Sequence, residues 1–157
     1  MLLGVVADSH GWLHPHVRDV FRDVDEILHA GDIESERVIE DLERIAPVVA
    51  VRGNVDRGPL AARYRSWCDL EIEGHRLLLV HRGGKALQGD PQMAAVFRRV
   101  YPDIVVYGHT HLAECGWQNG VYYLNPGLGG RPKRGIRSSV ALLIVEPGRV
   151  EGEIIWL

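Results

Sequence analysis

The chain has 157 residues, 46% apolar and 25% charged, with a formal charge of −3. That length suffices for one domain, 1–157, with a full core, and the composition is ordinary for a globular fold. The slightly acidic balance gives no bulk electrostatic case for stable nucleic-acid binding or for an anionic membrane surface. Cys68 and Cys115 have no metal-type spacing and make no disulfide framework, which fits a reducing compartment. No basic leader precedes the first apolar run and no long apolar segment follows it. The expectation is a cytoplasmic protein with no signal peptide and no membrane span.

In chain order, Leu2 to Ala7 is a continuous apolar run, as expected of a strand buried on both faces. It stops at Asp8-Ser9-His10-Gly11. Residues i and i+2 of an extended segment share a face, so Asp8 and His10 can point one way. Ser9 suits a helix cap, which leaves His10 unexplained. A helix is predicted over 15–24, with Val17, Val20, Phe21 and Val24 on one face, and His14 and His16 solvated at its start. Glu26 to Ala30 reads as a second strand ending in Gly31-Asp32. His29 is a candidate supporting residue or a core histidine. The segment 35–45 reads as an amphipathic helix with Val38, Ile39, Leu42 and Ile45 inward. Val48 to Val51 is a third strand ending in Arg52-Gly53-Asn54-Val55-Asp56, and Gly58-Pro59 marks a loop.

Strand and helix alternate in this half. That pattern predicts parallel βαβ units with right-handed crossovers, whose ligands collect beyond the strands' carboxyl ends. Asp8, His10, Asp32 and Asn54 all fall there. From Trp67 the pattern changes to a hairpin, with a turn at Gly74-His75 and an apolar arm, Arg76 to Val80, ending at His81. A helix over 90–100 and a strand from Ile104 follow. This strand delivers Tyr107-Gly108-His109-Thr110-His111, where two imidazoles again stand two apart. Alternating strands are expected around Glu114 to Trp117 and Val121 to Leu124, and Asn125-Pro126-Gly127 turns the chain back. After a basic loop over 131–137, a final hairpin (140–145 and 150–157) is expected to close a second sheet.

Asp8-x-His10-Gly11, Gly31-Asp32, Gly53-Asn54-x-Asp56, His81, Gly108-His109-x-His111 and Asn125-Pro126-Gly127 occur in this order, each at a strand end. Together they resemble the calcineurin-like metallophosphoesterases, and most of all their small phosphodiesterase group in bacteria and archaea. The resemblance implies an α/β fold, a four-layer αββα sandwich of two mixed β-sheets flanked by helices. It implies a two-metal site in which Asp8, His10, Asp32 and His111 hold one ion. Asp32, Asn54, His81 and His109 hold the other, with Asp32 shared. It implies a phosphodiesterase in which a hydroxide between the ions attacks phosphorus in line. Asp32, Asn54, Asp56 and His109 are then the catalytic candidates, with Asp56 orienting a histidine.

The ligand chemistry agrees. Mixed imidazole, carboxylate and amide donors suit manganese, the expected ion, or nickel, zinc or iron, better than calcium. No thiolate takes part, so a closed structural zinc site is not expected. A neutral Asn54 leaves a small positive charge for an anionic diester. Asn54, Arg82 and Arg131 are the candidate contacts to a small phosphodiester or nucleotide-like substrate, and Trp12, Tyr64, Trp67 and Trp117 are candidates to stack on a base or simply to pack. An exposed strand edge or tryptophan patch is a candidate homodimer contact.

Three positions depart from the family's pattern. Val55 stands where many members carry a histidine, Arg82-Gly83 where Gly-His is common after the strand-end histidine, and Leu128 where a serine is common. The alternatives on the same fold are a non-catalytic metal-binding interaction protein, as in the retromer subunit that resembles this family, and a phosphomonoesterase. The complete set of seven polar ligands, costly to bury without metal, favours the enzyme.

Overall fold

The computed structural model describes residues 1–84 and 90–157. Its first sheet has the order β10-β9-β1-β2-β3, from β1 (Leu2–Val6), β2 (Glu26–His29), β3 (Val48–Ala50), β9 (Ser139–Glu146) and β10 (Arg149–Trp156). The second has the order β4-β5-β6-β8-β7, from β4 (Trp67–Ile72), β5 (His75–Val80), β6 (Ile104–Val106), β7 (Glu114–Gln118) and β8 (Val121–Asn125). Helices α1 (Val17–Val20), α2 (Glu36–Glu43), α3 (Gly58–Arg63) and α4 (Pro91–Val100) lie outside the sheets. In the first sheet β1, β2 and β3 run parallel; in the second β5, β6 and β8 do.

Strand periodicity makes the layers. Leu3 and Val5 of β1 meet Leu77 and Leu79 of β5, Ile104 and Val106 of β6, and Leu124 of β8 in the core between the sheets. The opposite face of the first sheet packs Val6 and Ile27 with Phe21, Val38, Ile39, Leu42 and Leu60. The opposite face of the second packs Leu78, Val80 and Val105 against Val100, Val96 and Phe97 of α4. These three apolar clusters define the four layers. Gly4 leaves room for the buried Phe21 ring, which a Cβ there would meet at 2.9 Å.

Several expectations change. The final hairpin extends the first sheet instead of closing the second. β9 pairs antiparallel with β1, with Gly4 opposite Leu142. Its Ala141, Leu143 and Val145 face the inter-sheet core while Val140 faces the helices. Burial on both faces marks a central strand, and period-2 patterning cannot say in which sheet. The Gly58-Pro59 pair opens α3, because proline's fixed φ and missing N–H suit a first helical turn. α1 is a single turn, shorter than its apolar spacing predicted.

The hairpin turn is Glu73-Gly74, both at positive φ (51° and 79°), the two-residue geometry favoured by strand twist. His75 is therefore a strand residue opposite Ile72, half-buried, with its Nε2 3.1 Å from the Glu146 carbonyl. Asp90 caps α4 as its sequence predicts, its Oδ1 accepting from Gln92 and Met93 N–H. No helix among the described residues is long and apolar enough to cross a membrane.

Phe21 is the fully buried aromatic between α1 and β1. Phe21→Ala should destabilise the fold by about 3–5 kcal/mol, read as a lowered urea midpoint. A loss under roughly 1 kcal/mol would mean that the helical layer is not held by this contact.

Candidate metal centre

Five parallel strands from two sheets end along one edge. β1 delivers Asp8 and His10, β2 Asp32, β3 Asn54, β5 His81, and β6 His109 and His111. Backbone hydrogen bonds stitch these ends together. Asp8 N–H donates to Gly31 O (3.0 Å), His10 N–H to Asp32 O (3.0 Å), and Gly108 N–H to His81 O (3.0 Å). Strand alternation is not what aims the side chains. Asp8, His10, Asp32, His109 and His111 all have positive φ, between 47° and 74°, so the chain has already left the strand at each. Asp8 and His10 still converge, but His109 and His111 part.

His111 joins the first group. Its Nε2 lies 3.3 Å from Asp8 Oδ1 and 3.2 Å from His10 Nε2, and His10 Nε2 is 4.0 Å from the same Asp8 oxygen. In the second group His81 Nε2 stands 3.3 Å from Asp32 Oδ2 and 3.0 Å from Asn54 Oδ1, with the His109 ring edge-on to it at 5.2 Å. Asp8 reaches both, since oxygens of Asp8 and Asp32 and a nitrogen of His81 also cluster within 4.8 Å.

Neighbours fix these orientations. The Ala30 carbonyl, 2.8 Å from His81 Nδ1, requires a proton there and turns Nε2 inward. Glu34 Oε2, 2.8 Å from His10 Nδ1, does the same for His10. Asn125, fully buried, donates to Gly108 O and Thr110 Oγ1 and so clamps the loop carrying both imidazoles. Two glycines permit the close approach. A Cβ on Gly53 would stand 2.0 Å from Asp32 Oδ1, and one on Gly108 2.7 Å from Asp8 Oδ2.

Asp56 is placed differently from its expected role. Its carboxylate accepts from Ile33, Glu34 and Gly53 N–H, and among the described residues it makes no hydrogen bond to a histidine. It ties the β3 loop to the loop after Asp32, which makes it a brace. His29 is fully buried. Its Nδ1 accepts from Gly31 N–H (3.2 Å) and its Nε2 lies 2.9 Å from Ser9 Oγ, so it links the β1 and β2 ends. Burial lowers its pKa to about 4, which keeps it neutral. Arg82 is exposed and lines a cavity with Asn54 and His81. Arg131 does not line that cavity; its guanidinium is 4.7 Å from the centre of the Trp12 ring. Glu34 carries no signal in the sequence, because a lone glutamate two residues past Asp32 has no periodicity to mark it.

The residues fit a bound cation. Asp8 Oδ1 is buried without a hydrogen-bond partner, while Oδ2 accepts from His109 N–H at 2.9 Å. A bare buried carboxylate oxygen is costly unless a cation meets it. Ligand atoms about 2.0–2.2 Å from one ion stand roughly 3.0–3.5 Å apart, near several of the separations seen here. The donors are nitrogen and oxygen, as first-row divalent ions prefer.

The calcineurin-like phosphoesterase superfamily domain matches residues 1–148 as a sequence family. The chain belongs to that superfamily. A probable metallophosphoesterase of Methanothermobacter thermautotrophicus is 36% identical, over 99% of this chain and 92% of its own. Phosphodiesterase YfcE of Escherichia coli strain K12 is 33% identical over 68% of this chain and 58% of its own. In fold, the chain is similar to a zinc-complexed Vps29 of Entamoeba histolytica (TM-score 0.74, 24% identity, 99% of each chain). The superfamily binds divalent metals, and in this phosphoesterase domain both candidate ligand groups lie within the matched residues.

Burial alone would lower the His81 pKa, but the hydrogen bond and charge of Asp32 outweigh it and raise it above 6.5. Burial would raise Asp32, but His81 overcomes that and holds it below 3.8. Without metal, the raised His81 adds stability that is full below 6.5 and lost as pH rises through its folded value. The depressed Asp32 adds stability present above 3.8 and lost as pH falls through its folded value. The pair therefore strengthens the metal-free fold most between these limits. Metal must displace the His81 proton. Manganese titrated into metal-free protein should release more protons at about pH 6 than at pH 8, measured by calorimetry in buffers of different ionisation heat. Equal release at both would contradict His81 as a ligand.

Proposed function

We propose that this chain is a two-metal phosphodiesterase acting on small, nucleotide-like phosphodiesters. Asp8, His10, Asp32 and His111 hold one ion and Asp32, Asn54, His81 and His109 the other, with Asp32 shared. Manganese is the ion proposed, and nickel, zinc or iron suit the same donors. The observation that carries this reading is the unpartnered Asp8 oxygen facing two imidazoles, beside a second group that opens into a cavity. Relatives named as phosphoesterases or phosphodiesterases support it at the level of the family.

When bound, the ions supply Lewis acidity that activates water near neutral pH and offsets phosphate charge. The chain's own residues do the rest. The Ala30 carbonyl and Glu34 hold protons on the outward nitrogens of His81 and His10, so each presents a lone pair inward. Burial, His81 and Arg82 lower the His109 pKa, which favours its neutral form. Asn54 ligates without adding negative charge that would repel the diester. Arg82, at the mouth of the cavity, meets a non-bridging phosphate oxygen. Val55 supplies no proton to the leaving oxygen, so diesters with acidic leaving alcohols are cut fastest.

Chelated protein resupplied with manganese or nickel should hydrolyse bis-p-nitrophenyl phosphate, with little action on p-nitrophenyl phosphate. No turnover with two ions tightly bound would overturn this and favour a metal-binding interaction protein. Dominant monoester cleavage would reassign it as a phosphomonoesterase. Asp32→Ala should lower diester hydrolysis at least about 100-fold in saturating metal. Activity retained in that variant would sink the shared-carboxylate assignment.

A further inference from the structure

From the Asn54 and His81 side of the centre, a furrow runs out across the protein. Its inner part is a cavity of about 380 Å³ lined by Arg52, Asn54, Ser66, His81 and Arg82. Its outer part, about 600 Å³, shares Arg52 and Ser66 and continues past Arg65, Trp67 and Arg99. Each part is within the size range of a small-molecule site, about 300–1,000 Å³.

The furrow's charge is unlike the chain's. Among the described residues Arg52, Arg65, Arg82 and Arg99 have no carboxylate within ion-pair distance, although the chain carries −3 overall. Arg63, by contrast, is paired with Glu36 (3.8 Å) and Glu43 (3.6 Å). The two acids that line the furrow are both engaged. Asp69 lies 3.9 Å from Arg76, and Asp90 accepts the first N–H groups of α4.

Two of these guanidiniums, those of Arg52 and Arg99, are also held in place. Arg52 N–H donates to Arg65 O at 2.8 Å, closing the loop that contains α3 and bringing the two side by side. Arg52 Nη1 donates to Ala61 O at 2.5 Å. The Arg99 guanidinium stacks over the Trp67 ring, 5.3 Å from its centre, which offers a flat cationic surface at the outer end. Four arginines that line one trough and begin at a phosphodiester site are suited to phosphates spaced along a chain.

We infer that this furrow binds the nucleotides on one side of the scissile phosphate, and that the substrate is a short single-stranded oligonucleotide. The inference rests on the phosphodiesterase reading and deepens it. A few nucleotides held while one bond is cut need only this local field, so the acidic net charge is no obstacle.

The test compares 5′-phosphorylated tetrathymidylate with bis-p-nitrophenyl phosphate on the manganese-loaded chain and on the double variant R65A/R99A. The tetrathymidylate should be the better substrate by kcat/KM, and the ratio of the two kcat/KM values should fall about tenfold in the variant. Cleavage of bis-p-nitrophenyl phosphate with no preference for tetrathymidylate, or with an unchanged ratio, would overturn the furrow and leave the phosphodiesterase standing. If neither compound is cut, the phosphodiesterase reading fails, and binding decides the furrow alone. Fluorescein-labelled tetrathymidylate and the full chain in chelator are then followed by polarisation. Binding at least fivefold weaker in R65A/R99A, with a salt slope reduced by about 1, supports the furrow. Absent or arginine-independent binding overturns it.

Discussion

A buried carboxylate with one oxygen left without a partner is the constraint on which this molecule turns. Asp8 sits at the end of the central strand of the first sheet. One of its oxygens is taken by the His109 amide from the other sheet, and the second faces His10 and His111 with nothing to bond. Desolvating such an oxygen is costly. The surroundings answer with imidazole lone pairs and a second carboxylate instead of backbone donors, an arrangement that makes sense around a cation. Gly108 completes it, since any side chain there would push the imidazole loop off Asp8.

Around this point lies a set of bracing hydrogen bonds. Asp56 gathers three backbone amides, Asn125 clamps Gly108 and Thr110, and His29 joins the ends of β1 and β2 through Ser9 and Gly31. They matter because the ligands sit on loops. Five of them are at positive φ, a conformation that costs energy for residues with side chains, so the surrounding hydrogen bonds must hold it. The braces come from both sheets, and the centre exists only when the inter-sheet core has formed.

The cavity beside Asn54 and His81 is lined by Arg52 and Arg82, whereas Arg131 is stacked on Trp12 and does not line it. A chain that is acidic overall can therefore present strong positive potential to one direction of approach, because screening confines each charge to about 10 Å at ordinary salt. Net charge is a poor guide to what such a local field accepts.

Much of this was legible in the linear chain. The strands of the first half, the α4 cap at Asp90 and the ordered strand-end motifs depend on spacing of a few residues, and local spacing is what a sequence carries openly. The αββα layering and the superfamily followed from those motifs. Other features were not legible, for identifiable reasons. The final hairpin's sheet depended on which neighbour buries both faces of β9. The parting of His109 from His111 depended on positive φ at each, where alternation no longer applies. Glu34, and Asp56 as a brace, are defined by contacts across loops more than twenty residues apart. The sequence by itself determined which chemical groups stand at strand ends, because apolar runs and their polar stops are local. Only the tertiary structure decided which groups share a centre and which arginines stay unpaired, because both depend on two sheets meeting across a common core.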